Sequence, residues 1–328
     1  MSTSSAIISG TGLSVPDKVV TNQDLEKIVD TSDEWITTRT GIRERRIAGP
    51  DAKVSTFCID AARSAMDAAG VMPLDIGMII VATVTPDHPI PATACIIQNA
   101  LGCKNAAAFD MQAGCSGFIY AQSVAKQFVV SGRCKHVLVI GAELLSKFLN
   151  WDDRTTCVIF ADGAGAVVMS EGELPRGVLS SAMYTDGDMA DFITLPAGGS
   201  AMPPTAETVA GGHHYIQMKG NETFKMAVRS ISGVCLEVLE NAGLTPDDVT
   251  WFIPHQANQR IIGAVGNRLG ITDERCYVNI DRFGNTSAAS IPIALDEIVR
   301  AGKVKEGDIL LMAAFGAGLT WAGSVVRW

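Results

Sequence analysis

The chain has 328 residues, of which 47% are hydrophobic and 19% charged, so it can bury one large core or two smaller ones. Its formal net charge of −9 argues against general nucleic-acid binding, which needs an extended basic surface. The first residues lack the basic start and apolar core of a signal peptide, and no apolar run approaches the roughly 18 residues of a membrane span.

The first half of the chain alternates helical patterns with short apolar strands. "DEWI" (33–36) is typical of an amphipathic helix, and "MIIVATV" (78–84) of a buried strand. "AAAFDM" (106–111) predicts a second short buried strand, and "GFIYAQSVAKQFVVSG" (117–132) predicts the helix that follows it. Further along, residues 171–215 are rich in Pro, Gly and Ser, which suits a long connection or an active-site cap.

Cys115 lies between two glycines in "QAGCSGF" (112–118), at the predicted turn from strand to helix. Unpaired backbone N–H groups and the positive end of the helix dipole favour a thiolate there, which is the nucleophilic form. One alternative is a small, buried, inert cysteine. Another is a redox-sensing thiol in a protein that is not an enzyme, although no resolving cysteine neighbours it.

The eight cysteines form no C-x-x-C pair, so we expect reduced thiols, a cytoplasmic protein and no metal site.

The second half of the chain repeats the first. Four blocks recur in the same order, namely 68–84 and 241–257, 99–102 and 267–270, 109–117 and 280–288, and 131–143 and 301–315. The third pair predicts a strand followed by a Gly-containing turn in each half. Such a repeat predicts two α/β halves, here 1–172 and 173–328, each a mostly parallel sheet covered by helices. It also aligns Gly114-Cys115 with Gly284-Asn285, so both turns are expected in one site.

His255 is the best placed of the five histidines. It follows the apolar strand of "WFIPHQANQR" and precedes the helical pattern "QANQRIIGAVGNRLG" (256–270), so it ends a strand of the second half as Cys115 does in the first. A lone histidine is also common as a hydrogen-bonded structural residue, and the residues alone leave that alternative open.

Several motifs together resemble the beta-ketoacyl-acyl-carrier-protein synthase III family, over residues 7–328. They are "TSDEWITTRTGIRERRIA" (31–48), "AGCSGF", "PHQAN", "GNTSAASIP" and "AFGAGLTW". The resemblance implies a thiolase-like fold, with duplicated halves forming a five-layer αβαβα sandwich, and a homodimer. It also implies a catalytic triad of Cys115, His255 and Asn285, with an oxyanion hole from the backbone N–H groups of Cys115 and Ala317.

The implied reaction condenses an acyl-CoA primer, expected to be acetyl-CoA, with malonyl-acyl carrier protein. It proceeds through acyl-Cys115 and releases CO2 and CoA, initiating type II fatty acid biosynthesis without a cofactor. A secondary-metabolite condenser or acyltransferase with the same triad is the alternative enzyme. "FADGAGAVV" and "FGAGLTWAG" lack the spacing of the dinucleotide fingerprint, so no nucleotide cofactor is expected.

The resemblance also carries over three groups of binding residues, and the CoA group has a simpler alternative. Trp35 is otherwise a helix residue, and "RTGIRERR" a solvated basic face. Ile90 stands where many relatives have a larger aromatic residue, which bears on the size of the acyl pocket. The groups are Trp35, Arg39, Arg154 and Asn258 for CoA; Gln256, Ala257, Asn258, Gln259, Arg260, Lys225 and Arg268 for the carrier protein; and Ile90 and Phe315 for the acyl pocket.

Overall fold

The computed structural model describes residues 4–328, with the backbone alone for residues 220–223. Its strands are β1 (Ser4–Ser14), β2 (Val19–Thr21), β3 (Glu44–Arg46), β4 (Ile76–Ala82), β5 (Ala107–Met111), β6 (His136–Leu144), β7 (Asp162–Glu173), β8 (Gly177–Thr185), β9 (Ile193–Thr194), β10 (Gln217–Met218), β11 (Trp251–Pro254), β12 (Ile309–Gly316) and β13 (Thr320–Arg327). Its α-helices are α1 (Asn22–Leu25), α2 (Asp33–Thr40), α3 (Val54–Ala69), α4 (Thr93–Leu101), α5 (Gly117–Val130), α6 (Ala206–Ala210), α7 (Gly220–Asn241), α8 (Gln259–Leu269), α9 (Ile280–Phe283) and α10 (Ser290–Arg300).

Two sheets stack with helices between and outside them. The first has the order β1-β7-β6-β4-β5 and the second β8-β13-β12-β11. Helices α5 and α10 are buried between the sheets, α3 and α4 cover the outer face of the first, and α7 and α8 that of the second. In the inner strand β4, apolar residues follow one another without alternation because helices bury both faces. This arrangement confirms the predicted five-layer αβαβα architecture.

The internal repeat is visible in the strand order. β1, β7, β6 and β4 correspond to β8, β13, β12 and β11, with the same parallel and antiparallel pairings in both sheets. The chain passes from one sheet to the other between Glu173 and Gly177. The counterpart of β5 is reduced to one bridge between Phe252 and Cys276.

The predicted strand at 280–288 is wrong. Residues Ile280–Phe283 form the short helix α9 instead. The side-chain oxygen of Gln256 accepts the backbone N–H groups of Asn279 and Ile280, at 3.0 and 3.2 Å. It thereby satisfies donors that a helix start leaves unpaired, which favours a helical turn over a continued strand.

Two further expectations need correction. Strand β5 is half-exposed rather than buried, because it is the edge strand of the first sheet. The segment 171–215 is not one loop, since the end of β7 and all of β8 lie within it. Its later part, together with β10, does form a cap, and residues 193–199 contribute to the wall of the cavity described next. No described helix is both long and apolar enough to cross a membrane.

Candidate active site

One cavity of about 920 Å³ opens where the two halves meet. Cys115, His255 and Asn285 all line it, so the structure brings the three predicted catalytic residues together. Cys115 comes from the turn after β5, His255 from the end of β11, and Asn285 from the turn after α9. The predicted meeting of the turns at Cys115 and Asn285 is thus observed.

Cys115 lies on a single 3₁₀ turn, Gly114–Ser116, directly before α5. Gly114 has φ +50°, and a Cβ there would lie 2.8 Å from the backbone nitrogen of Ala317. A Cβ on Gly316 would likewise clash with the backbone nitrogen of Cys115. The two glycines therefore let these backbone nitrogens approach the same corner of the cavity, as an oxyanion hole requires.

The surroundings of Cys115 favour the neutral thiol over the expected thiolate. Burial raises the pKa of the Cys115 thiol to about 12, and the nearby carboxylate of Glu143 adds to that rise. A hydrogen bond with the Ser287 side chain acts in the opposite direction, as does the residue's own backbone N–H, but neither offsets burial. Cys115 is therefore a neutral thiol that must lose its proton when it reacts.

His255 is held as a neutral imidazole. It is 4% exposed, and burial lowers its pKa to about 3. Its Nδ1 lies 2.7 Å from the Ser290 hydroxyl oxygen, which also accepts the backbone N–H of Gln256 at 3.3 Å. A serine hydroxyl that donates to Nδ1 fixes the tautomer with its proton on Nε2. That nitrogen is then a donor for a group in the cavity.

Asn285 is held by hydrogen bonds to a distant segment and to Ser287. Its backbone bridges to residues 159–161, donating to the Ile159 carbonyl at 3.0 Å and accepting from Ala161 at 2.9 Å. Its side-chain oxygen accepts the backbone N–H of Ser287 at 2.8 Å. Because the oxygen is engaged, the amide NH2 is the part of the side chain left for a ligand.

Comparison with known proteins identifies the family of this chain. The family model for 3-oxoacyl-[acyl-carrier-protein] synthase III matches residues 109–187, and the model for its C-terminal part matches residues 239–328. The beta-ketoacyl-[acyl-carrier-protein] synthase III of Caldanaerobacter subterraneus subsp. tengcongensis is 56% identical over 98% of this chain and 97% of its own. This chain belongs to the synthase III family.

Solved structures support the same membership. The 3-oxoacyl-[acyl-carrier-protein] synthase III of Aquifex aeolicus superposes with a TM-score of 0.91 at 50% identity, covering 98% of this chain and 100% of that one. The priming beta-ketosynthase of the R1128 polyketide pathway superposes equally well, with a TM-score of 0.91 at 36% identity, over 98% and 96% of the two chains. The thiolase-like fold that the synthase III resemblance implied is therefore confirmed.

The four residues expected to bind CoA lie in two places. The guanidinium groups of Arg39 and Arg154 lie over the Trp35 ring, at 4.9 and 5.1 Å from its centre. Asn258 lines the cavity and donates to the backbone carbonyl of Arg39 at 2.9 Å. Asn258 thus links the cavity to the Trp35 cluster, which we define as Trp35, Arg39 and Arg154.

The structure separates the residues expected to contact the carrier protein. Gln256 is only 1% exposed, and its side chain bonds to the backbone of four residues, so it cannot reach a partner and that prediction is wrong. Ala257 lines the cavity, as Asn258 does. The exposed members are Gln259, Arg260, Lys225 and Arg268.

The two residues expected in the acyl pocket also differ. Phe315 is buried in the wall of the cavity. Ile90 is 88% exposed and lies outside that wall, while its neighbour Pro89 is part of it. Ile90 therefore does not border the cavity of its own chain, and contact with a partner's cavity stays a prediction.

Sequence reasoning missed the supporting polar residues Ser287, Ser290 and Glu143. Both serines lie in "GNTSAASIP", but nothing in their spacing shows that one serves Asn285 and the other His255. Glu143 follows an apolar strand pattern that gives no sign of a fully buried carboxylate. Among the described side chains, no group of three or more His, Cys, Asp or Glu could hold a metal ion.

Proposed function

We propose that this chain condenses an acyl-CoA primer with malonyl-acyl carrier protein, giving 3-oxoacyl-carrier protein, CoA and CO2, and so initiates type II fatty acid biosynthesis. The observation that carries the proposal is the shared cavity. A cysteine at a helix N-terminus, a neutral histidine and an oriented asparagine amide all open into it. These groups supply a nucleophile and two hydrogen-bond donors, and no cofactor is needed for the steps that follow.

In the first half-reaction, the Cys115 sulfur attacks the thioester carbonyl of acyl-CoA and the Cys115 proton leaves. The backbone N–H groups of Cys115 and Ala317 stabilise the oxyanion of the tetrahedral intermediate. Among the hydrogen bonds described for residues 4–328, neither N–H is donated to another residue, so both can serve. The intermediate collapses to acyl-Cys115, and CoA departs as a thiolate that takes a proton from water.

In the second half-reaction, malonyl-carrier protein loses CO2 and leaves an enolate on its thioester oxygen. His255 Nε2–H and the Asn285 NH2 donate hydrogen bonds to that oxygen, and each such donor contributes about 10²–10³ in rate. The enolate carbon then attacks acyl-Cys115, forming the new C–C bond and releasing the cysteine. A histidine with a depressed pKa suits this role, because it donates without first being protonated.

The Trp35 cluster is proposed to bind the adenine of CoA, between Trp35 and Arg154. An adenine ring stacked between Trp35 and Arg154 would hold the two side chains roughly 7 Å apart, which is twice the ~3.5 Å contact distance. The Arg154 guanidinium lies 5.1 Å from the centre of the Trp35 ring, so it must move about 2 Å away from that ring to admit adenine. It is held by the backbone carbonyl of Asp30 at 2.9 Å on an exposed loop, a contact that is easily exchanged.

The carrier protein is proposed to dock on exposed cations beside the cavity. Arg260 lies over the Phe224 ring, 5.6 Å from its centre, and Phe224 lines the cavity. Lys225 is exposed next to it, and Arg268 lies about 12 Å further along α8. Asn267 stands where relatives often carry a basic residue, which weakens the site. Carrier proteins are acidic, so these charges are complementary.

We also propose a cytoplasmic homodimer. β5 is an edge strand with half-exposed side chains, and uncovered edges tend to pair. The 88% exposure of Ile90 is consistent with a position that a partner covers. All eight cysteines are free thiols, which supports a reducing compartment. Sedimentation of the purified chain tests the dimer.

The reaction is tested by intact-protein mass after mixing with acetyl-, propionyl-, isobutyryl- and longer acyl-CoAs, followed by malonyl-carrier protein. We expect one acyl adduct on Cys115 that malonyl-carrier protein consumes as 3-oxoacyl-carrier protein forms. An adduct that transfers without CO2 release would indicate an acyltransferase instead. No adduct with any acyl-CoA would overturn the proposal. Preference for a primer outside the fatty acid series would favour the secondary-metabolite alternative.

A further inference from the structure

A fully buried carboxylate lies behind the nucleophile and has no part in the reaction described so far. Glu143, near the end of β6, is 0% exposed. Its oxygens accept the Thr85 hydroxyl at 2.7 Å and the backbone N–H of Val84 at 3.1 Å. None of the ion pairs described for residues 4–328 includes it. Burying a carboxylate without a cation costs free energy, so a carboxylate at this position points to a role beyond packing.

Ser287 connects this carboxylate to Cys115. Its hydroxyl donates to Glu143 Oε1 at 3.4 Å. The turn that begins at Ser287 packs against the turn that carries Cys115, and a hydrogen bond from the Ser287 side chain lowers the Cys115 pKa. Ser287 is 3% exposed and has φ +49°, the only positive φ of a non-glycine residue in residues 4–328. The backbone is strained there, and the Asn285 side-chain oxygen holds it by accepting the Ser287 N–H. The backbone of Ser287 is thus held in place, with its hydroxyl beside the carboxylate.

We propose that Ser287 and Glu143 form the proton path for Cys115, with Ser287 passing the thiol proton to Glu143 as the sulfur attacks. This rests on the proposed function. The Cys115 S–H bond breaks, its proton moves to Ser287 Oγ, and the Ser287 hydroxyl proton moves to Glu143 Oε1. In the second half-reaction, Cys115 leaves as a thiolate and takes the proton back by the same path. One proton from water, taken by CoA, balances the cycle.

The neighbouring titratable groups do not offer a better acceptor. His255 faces the same cavity, but burial lowers its pKa to about 3, so it is a poor base. The buried thiol of Cys58 on α3 is the other titratable group nearby. Burial raises its pKa, and the negative charges of Asp87, Asp110 and Glu143 raise it further, so it stays protonated and cannot accept a proton. Burial raises the pKa of Glu143 itself to about 8, which gives its carboxylate the higher proton affinity that a transient acceptor needs.

Glu143→Gln distinguishes this path from a purely structural role, because the two predict opposite changes in the rate at which Cys115 reacts. The negative charge of Glu143 raises the pKa of Cys115, so removing an inert charge should make the thiol more acidic and faster to react. If Glu143 accepts the proton, the variant should acylate about 10²-fold more slowly at pH 9, where the Glu143 carboxylate is ionised. Wild-type acylation should also rise with pH through the Glu143 pKa near 8, and the variant should lack that inflection.

The experiment measures two rates across pH 6–10. One is single-turnover acylation by acetyl-CoA. The other is alkylation of Cys115 by iodoacetamide, followed by peptide mass with the exposed Cys95 as internal reference. The second needs no CoA, so an inflection there in a protein that accepts no acyl-CoA would refute the proposed function and keep the proton path. Ser287→Ala should slow both rates as Glu143→Gln does, and the double variant should be no slower than either.

Asp162→Asn is the matched control. Asp162 is also 0% exposed with a raised pKa, but it accepts hydrogen bonds from Ser146 and Ala48, away from Cys115. It should keep both pH profiles even if it lowers the melting temperature. Equal or faster reaction in Glu143→Gln, or an inflection that persists, overturns the proposal. If Glu143→Gln does not fold, the pH profile of Ser287→Ala decides: loss of the inflection near pH 8 supports the path, and a persistent inflection or unchanged rates overturn it.

Discussion

The side-chain oxygen of Asn285 accepts the backbone N–H of Ser287 at 2.8 Å. This bond turns the NH2 of the amide away from its own loop, so that it can donate to an enolate oxygen. Asn285→Asp keeps the acceptor for Ser287 but replaces the donor with a carboxylate oxygen. We expect malonyl decarboxylation to fall by at least 10²–10³-fold, while the melting temperature changes little.

The comparison for this variant is Asn285→Ala, which removes the donor and the bond to Ser287 together. It should lose decarboxylation as well and should also be less stable, because the buried N–H of Ser287 is left unpaired. Pre-steady-state rates of both half-reactions provide the measurement. An Asn285→Asp variant whose acylation falls as far as its decarboxylation would contradict the assignment of Asn285 to the enolate.

Cys115→Ala should abolish the acyl-enzyme and leave the fold intact. The turn at Gly114–Ser116 needs a small residue, and alanine replaces the thiol without filling the cavity. Intact mass and peptide mapping after reaction with acetyl-CoA provide the measurement. Cys95 is exposed and Cys157 buried, so labelling of Cys95 alone would reveal a surface side reaction. Full labelling of the variant would show that the nucleophile lies elsewhere.

His255 should make the protein sensitive to acid. Its pKa is about 3 in the folded chain and about 6.5 unfolded, so between these values only the unfolded chain binds the proton. Above pH 6.5 the histidine is neutral in both states and leaves the free energy of unfolding unchanged. As pH falls from 6.5 toward 3, protonation of the unfolded chain alone lowers that free energy. At pH 5 the loss is about 2 kcal/mol relative to pH 7. Urea unfolding at both pH values measures it.

His255→Gln should reduce that difference between pH 5 and pH 7. His88→Gln is the control, because His88 is exposed and should leave the pH dependence as in the wild type. If the His255 variant loses as much stability as the wild type between the two pH values, the histidine is not held neutral by burial.

Local patterns in the sequence predicted the alternation of helices and strands, whereas the five layers and the triad were implied by the resemblance to the synthase III family. The repeat predicted the two matching sheets, and "PHQAN" placed His255 between a strand and a helix. The failures concern contacts between distant segments. Gln256 caps α9 through bonds to residues 23 and 24 positions away, and nothing in "PHQAN" distinguishes that role from a surface contact. The Cys115 pKa depends on burial by the second half and on Glu143, which a reading of one turn cannot include.

Acyl selectivity should depend on Ile90, through a partner subunit. Its 88% exposure means that it cannot restrict the cavity of its own chain. In a dimer, Ile90→Phe should narrow the partner's pocket and penalise isobutyryl-CoA relative to acetyl-CoA. The ratio of kcat/KM for the two substrates measures the effect, with His88→Gln as a neighbouring surface control. An unchanged ratio in a protein that sediments as a dimer would remove Ile90 from the pocket.

Arg260 should control association with the carrier protein. The residue is exposed near the start of α8, beside Phe224 at the wall of the cavity. Arg260→Glu replaces an attractive charge with a repulsive one, so KM for malonyl-carrier protein should rise, mainly through slower association. The effect should shrink with added salt, because exposed charges are screened over about 8 Å at physiological ionic strength.

The matched control is Arg133→Glu, which makes the same charge change at the end of the first sheet that lies away from the cavity. Arg133 is exposed just before β6, whose other end carries Glu143 near the cavity. Arg133→Glu should leave the carrier-protein KM unchanged, which separates a local contact from the net charge of the chain. Acylation by acyl-CoA should be nearly unaffected in both variants, since the Trp35 cluster is assigned to CoA. If Arg260→Glu alters neither the carrier-protein KM nor its salt dependence, these cations form a solvated surface and docking occurs elsewhere.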